Sequence, residues 1–191
     1  VPPVCKIMDY GKFKFEKTLI NGVYFIEPTI YEDKRGYFME TYNKKEFENA
    51  GININFVQDN QSKSTKGVLR GLHFQKNYPQ SKLVRVISGE VFDVAVDLRN
   101  DSDTYGKSIY GILSAENKRQ LLIPRGFAHG FLVLSDEAEF VYKCDNFYHP
   151  EDEAGFAWNS EELNIDWPKL DIPYKLSEKD QLYSKFIGLQ K

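Results

Sequence analysis

The sequence predicts an all-β fold of sandwich, jelly-roll or barrel type, and three observations carry that reading. Ten short stretches of strand character follow one another with turn-rich pieces between them, the rhythm of antiparallel sheets. Aromatic residues make up 15% of the chain, 14 Phe and 12 Tyr among them, and flat side chains favour a pleated surface. Helical signal is confined to residues 44–50 and to a tail that Ser177 opens.

Taken in order, residues 1–16 differ in texture from the rest of the chain. The stretch Val1-Pro2-Pro3-Val4-Cys5-Lys6-Ile7-Met8-Asp9-Tyr10-Gly11-Lys12-Phe13-Lys14-Phe15-Glu16 resembles a short segment of a bacterial translation initiation factor that binds the small ribosomal subunit. Sixteen residues cannot carry that factor's domains, so the stretch is set aside as an N-terminal extension, the match being an upstream fusion, an added segment or a coincidence, and residues 17–191 are expected to form one domain. Strands are then expected at residues 23–27, 37–42, 55–58, 67–75, 82–87, 91–99, 108–113, 120–123, 130–134 and 139–148. The clearest alternation sets Phe92, Val94, Val96 and Leu98 on one face against Asp93, Ala95, Asp97 and Arg99 on the other. Ser88-Gly89-Glu90 is expected to close a tight hairpin with the strand before it.

Composition narrows the function classes. With 25 Lys and Arg against 28 Asp and Glu, the formal charge of -3 offers no general attraction for nucleic acid or an anionic membrane. The apolar runs, such as residues 130–134, fall far short of the roughly 20 residues a spanning helix needs. No basic segment followed by an apolar stretch marks the N-terminus, and only Cys5 and Cys144 occur, so a cytoplasmic location without a disulfide framework is expected.

Inward-pointing polar residues are the informative ones in such a barrel. Arg70-Gly71-Leu72-His73 interrupts an apolar strand with an anion binder and a base; strict alternation sends the two to opposite faces, unless Gly71 marks a bulge. A core histidine satisfied by one hydrogen bond is the plainer alternative. Lys82 and Arg85 put two cations on the next strand, either a working face or a solvated edge. His129 stands in a Pro/Gly corner, facing a cavity or capping the turn, and Tyr142 serves chemistry or fills the core. The three histidines, His73, His129 and His149, form no His-x-His pair or His-Glu-x-x-His run, which disfavours a metal site. Dinucleotide, phosphate-loop and serine-hydrolase signatures are also missing, so no cofactor is expected. What remains is proton transfer beside a carbonyl by His, Tyr, Lys, Arg and Asp.

Longer strings sharpen this. Gln58-Asp59-Asn60, Val68-Leu69-Arg70-Gly71-Leu72-His73-Phe74-Gln75, Lys82-Leu83-Val84-Arg85, the run 89–97, the run 113–121, Gly126-Phe127-Ala128-His129-Gly130-Phe131 and Glu139-Phe140-Val141-Tyr142-Lys143 closely resemble the dTDP-4-dehydrorhamnose 3,5-epimerase family, in unbroken order from about Gly22 to Asp180. The resemblance implies a cupin-type jelly roll, a homodimer without metal, and a nucleotide-linked 4-keto-6-deoxy sugar as substrate. It implies His73 as proton acceptor with Asp180 as its partner, Tyr142 as proton donor, and Lys82 as the cation near the sugar carbonyl. Arg70, His129, Gln58 and Asn60 match substrate contacts; Arg35 and Glu40 lie in a matching string, Arg35 suited to diphosphate. Tyr148 matches the aromatic that stacks on thymine, and Glu153 and Lys179 match peripheral contacts. Three alternatives stand beside double inversion: a single-centre 3-epimerase, a ketoisomerase, and a non-catalytic sugar-nucleotide binder.

Overall fold

The computed structural model describes residues 6–188. Its strands are β1 (Ile7–Tyr10), β2 (Phe13–Lys17), β3 (Tyr24–Pro28), β4 (Tyr31–Asp33), β5 (Gly36–Phe38), β6 (Gln58–Thr65), β7 (Leu69–Gln75), β8 (Lys82–Ser88), β9 (Glu90–Asp97), β10 (Ser108–Ser114), β11 (Gln120–Ile123), β12 (Phe127–Val133), β13 (Glu137–Cys144) and β14 (Glu153–Gly155). Two short helices, α1 (Lys44–Asn49) and α2 (Glu178–Gln181), complete the set with two 3-10 turns. A seven-stranded sheet, β1-β2-β3-β11-β8-β13-β6, faces a five-stranded one, β10-β9-β12-β7-β14, and β4 and β5 pair apart from both. Every strand pair in these sheets is antiparallel, and the architecture is the cupin-type jelly roll.

Three apolar layers hold it. Between the sheets lie Val84, Val86, Val91, Ala95, Phe131 and Phe140. Outside the five-stranded sheet, Leu69, Leu72, Phe92, Val94 and Val96 are covered by the C-terminal segment through Trp158, Trp167, Tyr174 and Phe186. Beyond the seven-stranded sheet, Phe13, Phe15, Ile26 and Leu122 pack on Phe47 of α1, whose first turn is capped by Asn43 accepting from the Glu46 N–H. Residues 7–16, set apart by texture in the sequence, therefore lie in this sheet, and the alternation of Phe13 and Phe15 has a core to face. Residues 1–5, including Cys5, fall outside the described residues.

Several sequence expectations change. Ser88-Gly89-Glu90 closes no hairpin: β8 pairs with β11 and β13, β9 with β10 and β12, so this turn carries the chain from one sheet to the other. Gly89 has φ +78°, and a Cβ there would lie 2.1 Å from the Glu137 carbonyl oxygen, so the crossing needs glycine. The strand expected at 55–58 instead begins at Gln58, and that expected at 37–42 shrinks to β5. The alternation left open what covers the face of Asp93 and Asp97; both are fully buried, because β9 is covered on both sides.

Candidate active site

The site grows from a defect in β7. Arg70 pairs with Phe131 and His73 with His129, so Gly71 and Leu72 together oppose the single residue Gly130. This bulge keeps Arg70 and His73 on one face, which regular alternation forbids. It also demands glycine: φ at Gly71 is +124°, and a Cβ would sit 2.6 Å from the Gly130 Cα. Both side chains line the space between the sheets, and Arg70 Nε donates to Ser64 Oγ at 3.1 Å.

Asp180 completes the histidine's surroundings. Ser177 accepts from the Asp180 N–H at 3.1 Å and opens α2, which delivers the carboxylate to β7. His73 Nε2 donates to Asp180 Oδ1 at 2.5 Å, and the Gly71 N–H donates to Oδ2 at 3.2 Å. Burial raises the Asp180 pKa, but the His73 and Gly71 contacts outweigh it and hold the carboxylate below its ordinary range. With Nε2 engaged, the ring has Nδ1 left as an acceptor.

The facing wall comes from the other sheet. Lys82 begins β8 and Tyr142 lies in β13; the ammonium stands 5.5 Å from the Tyr142 ring centroid. Burial pushes Lys82 down and Tyr142 up, each toward its neutral form. Gln58 and Asn60 point inward from β6 and bond each other at 3.1 Å. His129 faces the cavity from β12 and bonds Asp93 through Nε2 at 2.8 Å. Two adjoining compartments of about 410 and 440 Å³ share His73, Lys82, Tyr142, Tyr148 and Glu153. At the rim, Glu153 accepts from the Tyr148 hydroxyl and the Lys179 ammonium, both at 2.8 Å, and lies 3.9 Å from His73 Nε2.

Two expected residues are elsewhere in the monomer. Arg35 sits in the exposed β4–β5 hairpin, its side chain 83% exposed and paired with Asp33, and Glu40 is tied to Lys12 and Asn43. Arg85 points to the outer face of its sheet, opposite to Lys82. His149 stacks on Tyr78, with centroids 3.9 Å apart. Among the described residues no three His, Cys, Asp or Glu side chains gather as a metal site, and no helix is long and apolar enough to cross a membrane.

A base oriented by a carboxylate, a buried cation and a neutral phenol across one cavity are the parts of a carbon acid–base centre. Residues 17–187 match the sequence model of dTDP-4-dehydrorhamnose 3,5-epimerase. The chain belongs to that family. It is therefore an isomerase. A relative named dTDP-4-dehydrorhamnose 3,5-epimerase from Shigella flexneri is 58% identical over 173 residues, covering 90% of this chain and 94% of the relative. The crystal structure of the epimerase from Elizabethkingia anophelis superposes with a TM-score of 0.88 at 54% identity, over 92% of this chain and 97% of that one. The dTDP-6-deoxy-D-glucose-3,5-epimerase from Legionella pneumophila, solved in complex with dTDP-4-keto-L-rhamnose, gives 0.88 at 50% identity over 91% and 92%. Residues 1–21 separately match the model of the N-terminal domain of translation initiation factor IF-3.

Within the epimerase fold, sequence reasoning did not single out Asp93, which bonds His129, or Ser64, which anchors Arg70. The signal for Asp93 was present: a charged residue inside the run Val91-Phe92-Asp93-Val94-Ala95-Val96.

Proposed function

We propose that His73 and Tyr142 are the base and acid with which the chain performs its family's reaction: inversion of carbons 3 and 5 of dTDP-4-dehydro-6-deoxy-D-glucose to dTDP-4-dehydro-L-rhamnose, a step toward dTDP-L-rhamnose. The observation that carries this reading is that β7 and β13 belong to different sheets and send His73 and Tyr142 to one cavity from opposite sides.

The 4-keto group acidifies the hydrogens on both neighbouring carbons. His73 Nδ1 takes one of these protons, and the electron pair of the C–H bond moves into the ring to make an enolate. Asp180 holds the imidazole in the Nε2–H tautomer, so the lone pair stays available, and it stabilises the imidazolium that forms. Lys82 supplies positive charge at the enolate oxygen. Because burial raises its pKa, the Tyr142 phenol stays protonated at neutral pH and delivers a proton to the face opposite His73. Solvent then resets both groups. Gln58, Asn60, Arg70 and His129 hold sugar and diphosphate, and Tyr148 stacks on the thymine, with Glu153 and Lys179 bracing it.

The working unit in this proposal is a cytoplasmic homodimer. Arg35 and Glu40 contribute to binding by way of the β4–β5 hairpin, which reaches the partner's cavity; the exposure of Tyr31, Tyr37 and Phe38 supports this. In this reading residues 17–191 make up its jelly-roll epimerase domain and residues 1–16 are an added segment, of which residues 7–16 extend the edge of the sheet.

Proton NMR of the nucleotide sugar in heavy water tests the reading. Deuterium should enter at both carbons, His73→Asn should abolish entry at both, and Tyr142→Phe should slow inversion more than exchange. Entry at one carbon alone, or undiminished exchange in His73→Asn, overturns it.

A further inference from the structure

Asp93 has no place in the scheme above, yet it is the most deeply buried charge beside the cavity. It lies in β9, the strand between β10 and β12, on the face it shares with Val91 and Ala95 in the layer between the sheets. Its exposure is 0%. Oδ1 accepts from His129 Nε2 at 2.8 Å, while Oδ2 is buried without a hydrogen-bond partner among the described residues. A carboxylate oxygen left so is destabilising, and an apolar residue like its neighbours Val94 and Ala95 would suit the slot better for folding alone. On the cavity side, the Lys82 ammonium forms no ion pair among the described residues, although Asp93 acts on it electrostatically.

We propose that Asp93 is a positioning residue for the epimerisation: it ties His129 into the cavity wall and serves as the buried counter-charge that keeps Lys82 cationic beside the substrate carbonyl. The inference rests on the reading of the cavity as the epimerisation site. It follows from the sandwich geometry. Lys82 arrives from β8 and His129 from β12, in opposite sheets, and Asp93 is the buried carboxylate bonded to His129, with its second oxygen unpartnered among the described residues. Lys82 pairs with Cys144 of β13, stands over the Tyr142 ring, and shares the cavity wall with His73 of β7, Glu153 of β14 and His129 of β12. Glu153 is already engaged with Tyr148 and Lys179, and burial pushes the Cys144 thiol up to about 11, so it stays neutral. Asp93 is thus the carboxylate in this set with an oxygen to spare. Desolvation drives Lys82 toward the free amine, and Asp93 opposes that drive. Burial likewise pushes Asp93 up, against the pull of His129 and Lys82, so each charge depends on the other.

The test is Asp93→Asn in the full chain. Asparagine keeps the shape and an oxygen for the His129 N–H but removes the charge. The expected variant unfolds at or above the wild-type temperature and loses under about three-fold in kcat at pH about 6.5 but about ten-fold or more at pH about 9, because the alkaline limb of its rate profile moves toward lower pH. In a Lys82→Met background the same change should bring no further loss, since Asp93 acts through Lys82. A rate profile of unchanged shape overturns the proposal, as does a full additional loss in the Lys82→Met background. If Asp93→Asn does not fold, the Asp93 carboxyl carbon resonance is titrated in wild type and in Lys82→Met: a rise in its pKa on losing Lys82 supports the pairing, and an unmoved value refutes it. His73→Asn separates the two readings. Should it leave exchange intact, the site assignment fails; should it abolish exchange while Asp93→Asn keeps the wild-type profile, the Asp93 role alone fails.

Discussion

Replacing Asp180 by asparagine exposes a conflict that the geometry makes quantitative. The carboxylate accepts from two donors, His73 Nε2–H on Oδ1 at 2.5 Å and the Gly71 N–H on Oδ2 at 3.2 Å, whereas an amide has one oxygen and one NH2. The Gly71 donor is main chain and cannot change, but an imidazole can move its proton. The amide therefore turns its oxygen to Gly71 and its NH2 to His73, which shifts the ring to the Nδ1–H tautomer and removes the lone pair from the cavity. The loss is that of the whole base rather than of one charged hydrogen bond: about 100- to 10,000-fold, roughly 3 to 5 kcal/mol in barrier, against about 10-fold if only the charge mattered. Deuterium entry at the sugar carbons gives the rate, and nitrogen-15 shifts of the His73 ring give the tautomer. An Asp180→Asn enzyme that keeps more than about a fifth of wild-type exchange, with Nε2 still protonated, would refute this account of the dyad.

Gly71→Ala should destabilise by at least about 1 to 3 kcal/mol in urea unfolding and remove activity with it, since the new methyl meets the Gly130 Cα at 2.6 Å and the His129 carbonyl oxygen at 2.7 Å. Asp97 is pulled up by burial, yet donors from Arg99, Ser102 and Thr104 bring it down from 3.8 to about 2. A lowered folded-state pKa gives stability that is present above the unfolded value and is lost as pH falls through the folded one. Wild type should therefore lose about 1 to 2 kcal/mol, after solvent screening, between pH about 4 and 2, a loss absent from Asp97→Asn; equal slopes in the two proteins would contradict it. Dialysis against a strong chelator should leave turnover unchanged, and activity restored by a divalent ion would reverse the expectation of metal-free chemistry.

The parts of the fold legible in the sequence were those with one apolar face. The runs at β8, β9, β10 and β11 begin and end within two residues of their expected bounds. β6 was not legible, for a reason that belongs to the site. Its inward residues Gln58, Asn60 and Ser62 line the polar cavity with Ser64 buried against Arg70, and its outward residues Asp59, Gln61 and Lys63 are exposed. With polar groups on both sides, the period of two disappears. β14 is too short to carry a pattern. The bulge at Gly71 was visible as a possibility, because a glycine between Arg70 and His73 is out of place in a regular strand. Asp93 was passed over because alternation tells which residues share a face and not what covers that face.

The extra residue in β7 has a mechanical meaning as well. Regular pairing would use the N–H of every second residue in the ladder; at the irregularity the Gly71 N–H points instead to Asp180. One main-chain deformation thus aims the imidazole and grips the group that orients it. Base and orienting acid share a mount, so thermal motion of β7 carries them together relative to the sugar while their mutual geometry holds. Removing residue 71 altogether would leave Arg70, Leu72 and His73 on the faces they now occupy, and would take away only the grip.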